Sequence, residues 1–225
     1  MINEFMHILF FKFYELLHSK YYTLVNNYYG NKLTNETKQK LVINYVSVTH
    51  TSLITPLFLI YYFYPNYYLL QFNKLYSSHY FIHDIQFVLL NKYNKLSGMD
   101  CFYLFHHLIA VINIYNIKMY DLHSKIVCIS LFWLEVSNIP YFIVYHLLKT
   151  NGSKKLIQQV KNYQKYHYSF IRVFIVGYCI YRYYITQNNK IMNFLAITLY
   201  LSGVFFSCVS FIKNNKTEIV NIKNI

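Results

Sequence analysis

Apolar residues along this chain come in long runs separated by short polar gaps. Six runs approach the length of roughly 20 residues that a helix needs to cross the hydrocarbon core of a bilayer: 41–64, 76–92, 100–117, 124–148, 166–186 and 191–212. The second is the weakest, because its apolar stretch is short and contains His79, His83 and Asp84. The fourth contains Asn138 and Pro140. Proline removes a backbone donor and crowds the preceding turn, so one kinked helix is expected there. Residues 5–17 differ. On a helical wheel Glu4, His7, Lys12, Glu15 and His18 fall on one half, and Met6, Leu9, Phe10, Phe13, Leu16 and Leu17 on the other. That split predicts a helix lying in the membrane interface. A seventh span reaching Tyr29 would have to carry Lys12, Glu15 and Lys20. No small-residue cleavage site follows the run, so a signal peptide is not expected. The predicted architecture is all-α: a transmembrane bundle of six to seven spanning helices. An interfacial segment covers 1–34, the membrane domain 35–215 and a cytoplasmic tail 216–225.

Composition points the same way. Of 225 residues, 56% are apolar and 13% charged, with 27 Tyr, 19 Phe and a mean hydropathy of +0.22. That is about half the charged share of an ordinary soluble domain. A soluble globule of this size would leave large apolar patches in water. The net charge of +13 comes from 19 Lys against 2 Arg. Together with the Asn, Ile, Tyr and Phe, this bias is what AT-rich codons produce, so part of it reflects a genome. Nucleic acid is not an expected partner, because the lysines fall between apolar runs and not on one basic face. Cys101, Cys128, Cys179 and Cys208 are single and lie within apolar stretches. Neither a disulfide framework nor a zinc site is indicated.

The lysines set an orientation. On a six-span arrangement one side carries Lys20, Lys32, Lys38, Lys40, Lys92, Lys95, Lys149, Lys154, Lys155, Lys161, Lys165, Lys213, Lys216 and Lys223. The other carries Lys74, Lys118, Lys125 and Lys190. Both ends are therefore expected in the cytoplasm. Three glycosylation triplets, at Asn35, Asn151 and Asn215, fall on that side and should stay bare.

Ionisable groups at membrane depth cost several kcal/mol unless paired, so each is a candidate for function. They are His50, His79, His83, Asp84, Asp100, His106, His107, Glu135, His146, Arg172 and Arg182. Adjacent helical residues diverge by about 100°, so His106 and His107 cannot address one small site equally. An unpaired charge in the core would be costly, so Arg172 is expected to pair with Glu135, directly or through the histidine pair, with Asp84 as another candidate partner for Arg172 or His50. Arg182 is expected to snorkel toward the interface. His79 and His83 make one HxxxH, but Tyr103 occupies the place a second histidine box would need. Di-iron chemistry and a metal cofactor are not expected.

Five segments taken in order resemble the TLC (TRAM-LAG1-CLN8) family of lipid-associated membrane proteins. They are Ser47-Val-Thr-His50, Tyr80-Phe-Ile-His-Asp84, Asp100-Cys-Phe-Tyr-Leu-Phe-His-His107, Leu134-Glu-Val-Ser-Asn-Ile-Pro-Tyr-Phe142 and Phe170-Ile-Arg172. The resemblance covers about residues 35–215 and implies a helix bundle around a lipid-accessible cavity, in the endoplasmic reticulum or a related membrane. The chain closes on Ile222-Lys-Asn-Ile225, with neither KDEL nor dilysine. In the ceramide synthase branch the histidine pair serves acyl transfer from acyl-CoA to a sphingoid amine, a role that would fall here to His106 and His107. That branch follows the pair with two Asp three residues apart, where this chain has Glu135 and Asn138. Asn carries no charge and cannot act as a base. The run Glu135-Val-Ser-Asn-Ile-Pro is closer to the plain TLC-domain branch, linked to membrane lipid homeostasis.

The expected function is thus non-enzymatic binding or regulation of membrane lipids (sphingolipid, acyl-CoA or phospholipid). His50, His83, Asp84, Asn138 and Arg172 would form the ligand-binding or buried polar cluster. The alternatives are an acyltransferase with His106, His107 and Glu135 as catalytic residues and acyl-CoA as co-substrate, or a membrane cargo or translocon accessory.

Overall fold

A computed structural model describes residues 2–92, 96–117 and 122–222. The described residues are almost entirely helical and include no strand. The helices are α1 (Ile2–Tyr29), α2 (Asn35–Phe63), α3 (Tyr67–Lys92), α4 (Gly98–Tyr115), α5 (Leu122–Lys149), α6 (Lys154–Phe170), α7 (Val176–Thr186) and α8 (Lys190–Ile222). A π-helical turn, Ile171–Ile175, joins α6 to α7 without a break. Among the lysines counted for orientation, Lys95, Lys118 and Lys223 lie outside the described residues, as do the side chains of Lys92, Lys213, Lys216 and the Asn215 triplet.

The short polar gaps end helices by identifiable chemistry. Gly30 adopts a positive φ of 47° after α1, a conformation that glycine takes without steric cost. Thr34 Oγ1 then accepts the Thr37 amide to start α2. Asn66 Oδ1 accepts the amides of Tyr68 and Leu69 at α3, and Asn189 Oδ1 those of Ile191 and Met192 at α8. At α4, Ser97 and Asp100 form a reciprocal capping box. Asp100 was expected at membrane depth. It is instead a helix start, bonded to the Ser97 amide and hydroxyl.

The chain divides into two compact units, Met1–Cys128 and Ile129–Ile225, with α5 running through the division. In the first, α3 packs against α1, α2 and α4, and α1 also lies on α2. In the second, α8 packs against α6, the π turn and α7.

Both units expose large apolar side chains and bury polar ones within cores that also hold Leu41, Val42, Ile54, Phe58, Ile171 and Val176. Buried positions include Asn44, Ser47, His50, Asn73, Ser77, Ser78, Asp84, Ser137 and Arg172. Exposed ones include Leu53, Ile60, Phe63, Leu90, Phe105, Phe174, Phe194 and Leu201. Among the described residues, three helices are long and apolar enough to cross a membrane, where six such runs were expected: α2, α5 and the Lys190–Val209 part of α8. α4 is a shorter apolar helix. Pro56 and Pro140 both lie inside unbroken helices.

The first helix departs from the expected division of faces. It runs on to Tyr29, and it packs through Phe10, Tyr14 and Val25 while Phe5, Ile8, Leu9, Leu16 and Leu24 stay exposed. His7 and His18, assigned to the wet half, approach α3 instead. Where the surroundings are apolar, the mixed polar-aromatic face finds its partners inward.

Ser97→Ala removes one half of the α4 capping box and should lower stability by about 1 kcal/mol. Ser97→Asp, which restores an acceptor, should recover most of it, as read by thermal unfolding in detergent micelles.

Candidate functional site

In the first unit the polar centre is built where α3 meets α4. Asp84 on α3 is 3% exposed and accepts a hydrogen bond from the Tyr103 hydroxyl of α4. One turn further along α4, His107 brings Nδ1 to 3.3 Å from the same carboxylate oxygen. The imidazole is not aligned for a hydrogen bond there, so the contact is electrostatic. Tyr103 covers one side of the His107 ring at 4.1 Å between centroids, and Phe81 meets it edge-on at 5.0 Å. His106 is only half-buried, its ring 5.7 Å from that of His107. The two histidines diverge as adjacent helical residues must, and His107 is the one that meets Asp84.

His50 belongs to a neighbouring arrangement. It is buried on α2 and stacked 3.9 Å from Tyr80 and 5.1 Å from Tyr76, with interplanar angles of 7° and 17°. Its Nδ1 lies 3.0 Å from the Tyr14 hydroxyl, which also donates to the Tyr76 carbonyl at 3.2 Å. A phenol has one proton, so with that proton on the carbonyl, His50 Nδ1–H is the donor to the Tyr14 oxygen. His79 and His83 turn toward α1. His79 Nε2 is 3.2 Å from His7 Nδ1, and the His83 ring lies 5.8 Å from Tyr14 and 5.9 Å from His18. The HxxxH spacing thus serves a helix seam. Among the described residues no three His, Cys, Asp or Glu side chains converge as metal ligands.

The second unit has its own centre, at Arg172. This residue sits in the π turn, whose wider ring is closed by the Val176 amide on the Ile171 carbonyl. Its Nε donates to Ser137 Oγ at 3.1 Å and its Nη2 to Asn138 Oδ1 at 2.9 Å, both on α5. The Ser137 hydroxyl passes its own proton to the Leu134 carbonyl at 2.6 Å. Tyr168, four residues earlier, lies under the guanidinium at 4.4 Å, a cation–π distance. The partners of Arg172 are therefore neutral, where charge balance favoured Glu135. Glu135 is buried one turn before Asn138 on the same helix and supplies neither acceptor.

Two contacts from α8 hold the π turn in place. The Tyr200 hydroxyl donates to the Val173 carbonyl at 3.0 Å. It reaches that carbonyl across Gly177, where a Cβ would stand 2.8 Å from the hydroxyl. Gly203 faces the guanidinium itself, and a Cβ there would come within 3.2 Å of Nη1. Arg182, by contrast, bonds the Tyr178 hydroxyl at 3.1 Å on an exposed face.

The tyrosines were missed in the sequence, although a spacing marks them. Tyr103 stands four residues before His107, Tyr163 before His167, Tyr168 before Arg172 and Tyr178 before Arg182. On a helix that spacing puts an aromatic face against the cationic or imidazole group that follows. Ser137, the other acceptor for Arg172, had no signal beyond its place beside Asn138.

His50→Phe keeps a ring between Tyr80 and Tyr76 and loses one hydrogen bond, so it should cost about 1 kcal/mol. His50→Ala opens a cavity as well and should cost about 3 kcal/mol. Asn138→Leu strands a charged donor and should cost about 2 kcal/mol. Unfolding in micelles would rank the three.

No family model, curated protein or solved structure matches this chain.

Proposed function

We propose that the chain is a multi-pass membrane protein of the TLC type that binds membrane lipid and regulates lipid composition without transforming it. The observation that carries this function is the apolar exterior, combined with imidazole, carboxyl and guanidinium groups held inside beside an apolar core. In such a molecule the surroundings that match the surface are lipid tails. A buried guanidinium with neutral acceptors is a group suited to a lipid's polar end. Six spans, cytoplasmic ends and residence in the endoplasmic reticulum complete the proposal, on the lysine distribution and the resemblance of the five segments.

The histidines support binding over catalysis through their neighbours. His50 is committed to Tyr14 and to two stacked rings. His107 is closed in by Tyr103 and Phe81, and Tyr103 takes up the carboxylate oxygen nearest to it. One contact favours the acyltransferase alternative. Asp84 stands 3.3 Å from His107 Nδ1. A small realignment that let Asp84 accept Nδ1–H would hold that tautomer and leave Nε2 to take the proton of an attacking sphingoid amine, with acyl-CoA as donor.

The two are separated in cells stripped of their own ceramide synthases, supplied with a sphingoid base and a panel of acyl-CoAs. The expected result is no N-acyl product above background from a protein shown to be inserted. Product that disappears in His106→Ala or His107→Ala would replace the proposal with the transferase. The orientation has its own check: Asn35, Asn151 and Asn215 should show no mobility shift after endoglycosidase treatment, and a shift at any one would reverse the assigned side.

A further inference from the structure

Arg172 carries a charge that its hydrogen-bond partners do not balance. A guanidinium stays protonated at any physiological pH, and it offers five N–H donors in a planar fork. Here the residue is 7% exposed. Its acceptors among the described residues are the hydroxyl of Ser137 and the amide oxygen of Asn138. These use the Nε side and one Nη2 hydrogen. They orient the group and leave its charge intact, while Tyr168 shields one face. Both Nη1 hydrogens and the second on Nη2 remain. Nη1 is directed at α8 where Gly203 has no side chain, and even a methyl group there would crowd it at 3.2 Å.

The charge is also placed on a route. Lys154, Lys155, Lys161 and Lys165 precede Arg172 on the same helix. Arg172 lies seven residues past Lys165, about 10 Å along the axis at 1.5 Å per residue. A basic segment at the headgroup level concentrates anionic lipid beside it. A guanidinium a short way deeper is then positioned to receive the phosphate of such a lipid in a bidentate pair, the geometry that arginine supplies and lysine does not.

We propose that Arg172, oriented by Ser137, Asn138 and Tyr168 and packed against Gly203, is the anchor for the phosphate of an anionic lipid headgroup. The site presupposes the lipid-binding function proposed above and gives it a ligand class. The lipid tails would remain on the apolar exterior, so the protein would select lipids by the charge of the headgroup.

The test is lipid retention by native mass spectrometry of the full chain released from nanodiscs. One set of discs holds phosphatidylcholine alone and the other an equal mixture with phosphatidic acid. Wild-type protein should retain phosphatidic acid over phosphatidylcholine by about tenfold. Arg172→Gln should reduce that preference to near one, Arg172→Lys should leave an intermediate value, and Arg182→Gln should keep it whole. If Arg172→Gln does not fold, Gly203→Leu displaces the guanidinium with the arginine still present, and it should lose the preference as well. A folded Arg172→Gln or Gly203→Leu that still prefers phosphatidic acid would overturn the site and leave the lipid-binding function standing. Wild-type protein that retains no lipid from either disc would overturn both. Millimolar inorganic phosphate that displaces the retained lipid would identify the anchor as a site for free phosphate and overturn the lipid as its ligand.

Discussion

The polar side chains that this protein buries are what tie its helices to one another. With large Leu, Ile, Phe and Tyr side chains on the outer surface, buried hydroxyls, imidazoles and charges meet partners on neighbouring helices, while others such as Ser47, Ser137 and Ser207 bond carbonyls of their own helix. The contacts between helices follow from this. Tyr14 reaches His50 across α1 and α2, Tyr80 reaches Ser47 across α2 and α3, Tyr103 reaches Asp84 across α3 and α4, and Arg172 reaches α5 from the π turn. In a water-soluble domain the same groups would be scattered over the surface and would say little about how the helices pack.

Tyrosine is the residue that makes this arrangement workable. Its ring suits an apolar seam and its hydroxyl satisfies one polar group at the far end. At His50 two tyrosine rings stack on the imidazole while the hydroxyl of a third accepts from its Nδ1–H. At Arg172 one ring lies under the guanidinium, and another, Tyr200, reaches the Val173 carbonyl in the π turn. Tyrosine is abundant in this chain, with 27 residues, but the positions of these ones answer to packing.

The π turn and the arginine inside it explain each other. A wider helical ring shifts the register of the side chains that follow, and it exposes carbonyls that an α-helix would keep bonded. Tyr200 takes up one of these because Gly177 lets its hydroxyl pass. The shift places Arg172 where Ser137 and Asn138 are within reach and where Gly203 opposes it. A regular helix over the same residues would present the guanidinium in another direction, so the backbone irregularity belongs to the same design as the charge.

Much of the architecture was legible in the order of residues alone. Long apolar runs and scarce charge pointed to helices apolar enough to span a membrane, whereas the caps at Thr34, Asn66, Ser97 (with Asp100) and Asn189 in the gaps between runs came from the structure. His50, Asp84, His107 and Arg172 were recognisable because ionisable groups at that depth are rare. Their partners were not. Helical periodicity says which residues share a face, and it is silent on which face of which helix will meet it. Charge counting favoured Glu135 for Arg172, and the packing supplied Ser137 and Asn138 instead. The amphipathic split of α1 suggested a helix lying in an interface, and the packed helix keeps Glu4, Lys12 and Glu15 outward while turning His7 and His18 toward α3. The sequence by itself determined that this protein is helical and has helices apolar enough to span a membrane, since those follow from the free energy of each residue taken singly. Which polar groups meet is a property of pairs separated by dozens of residues, and only the tertiary structure decided it.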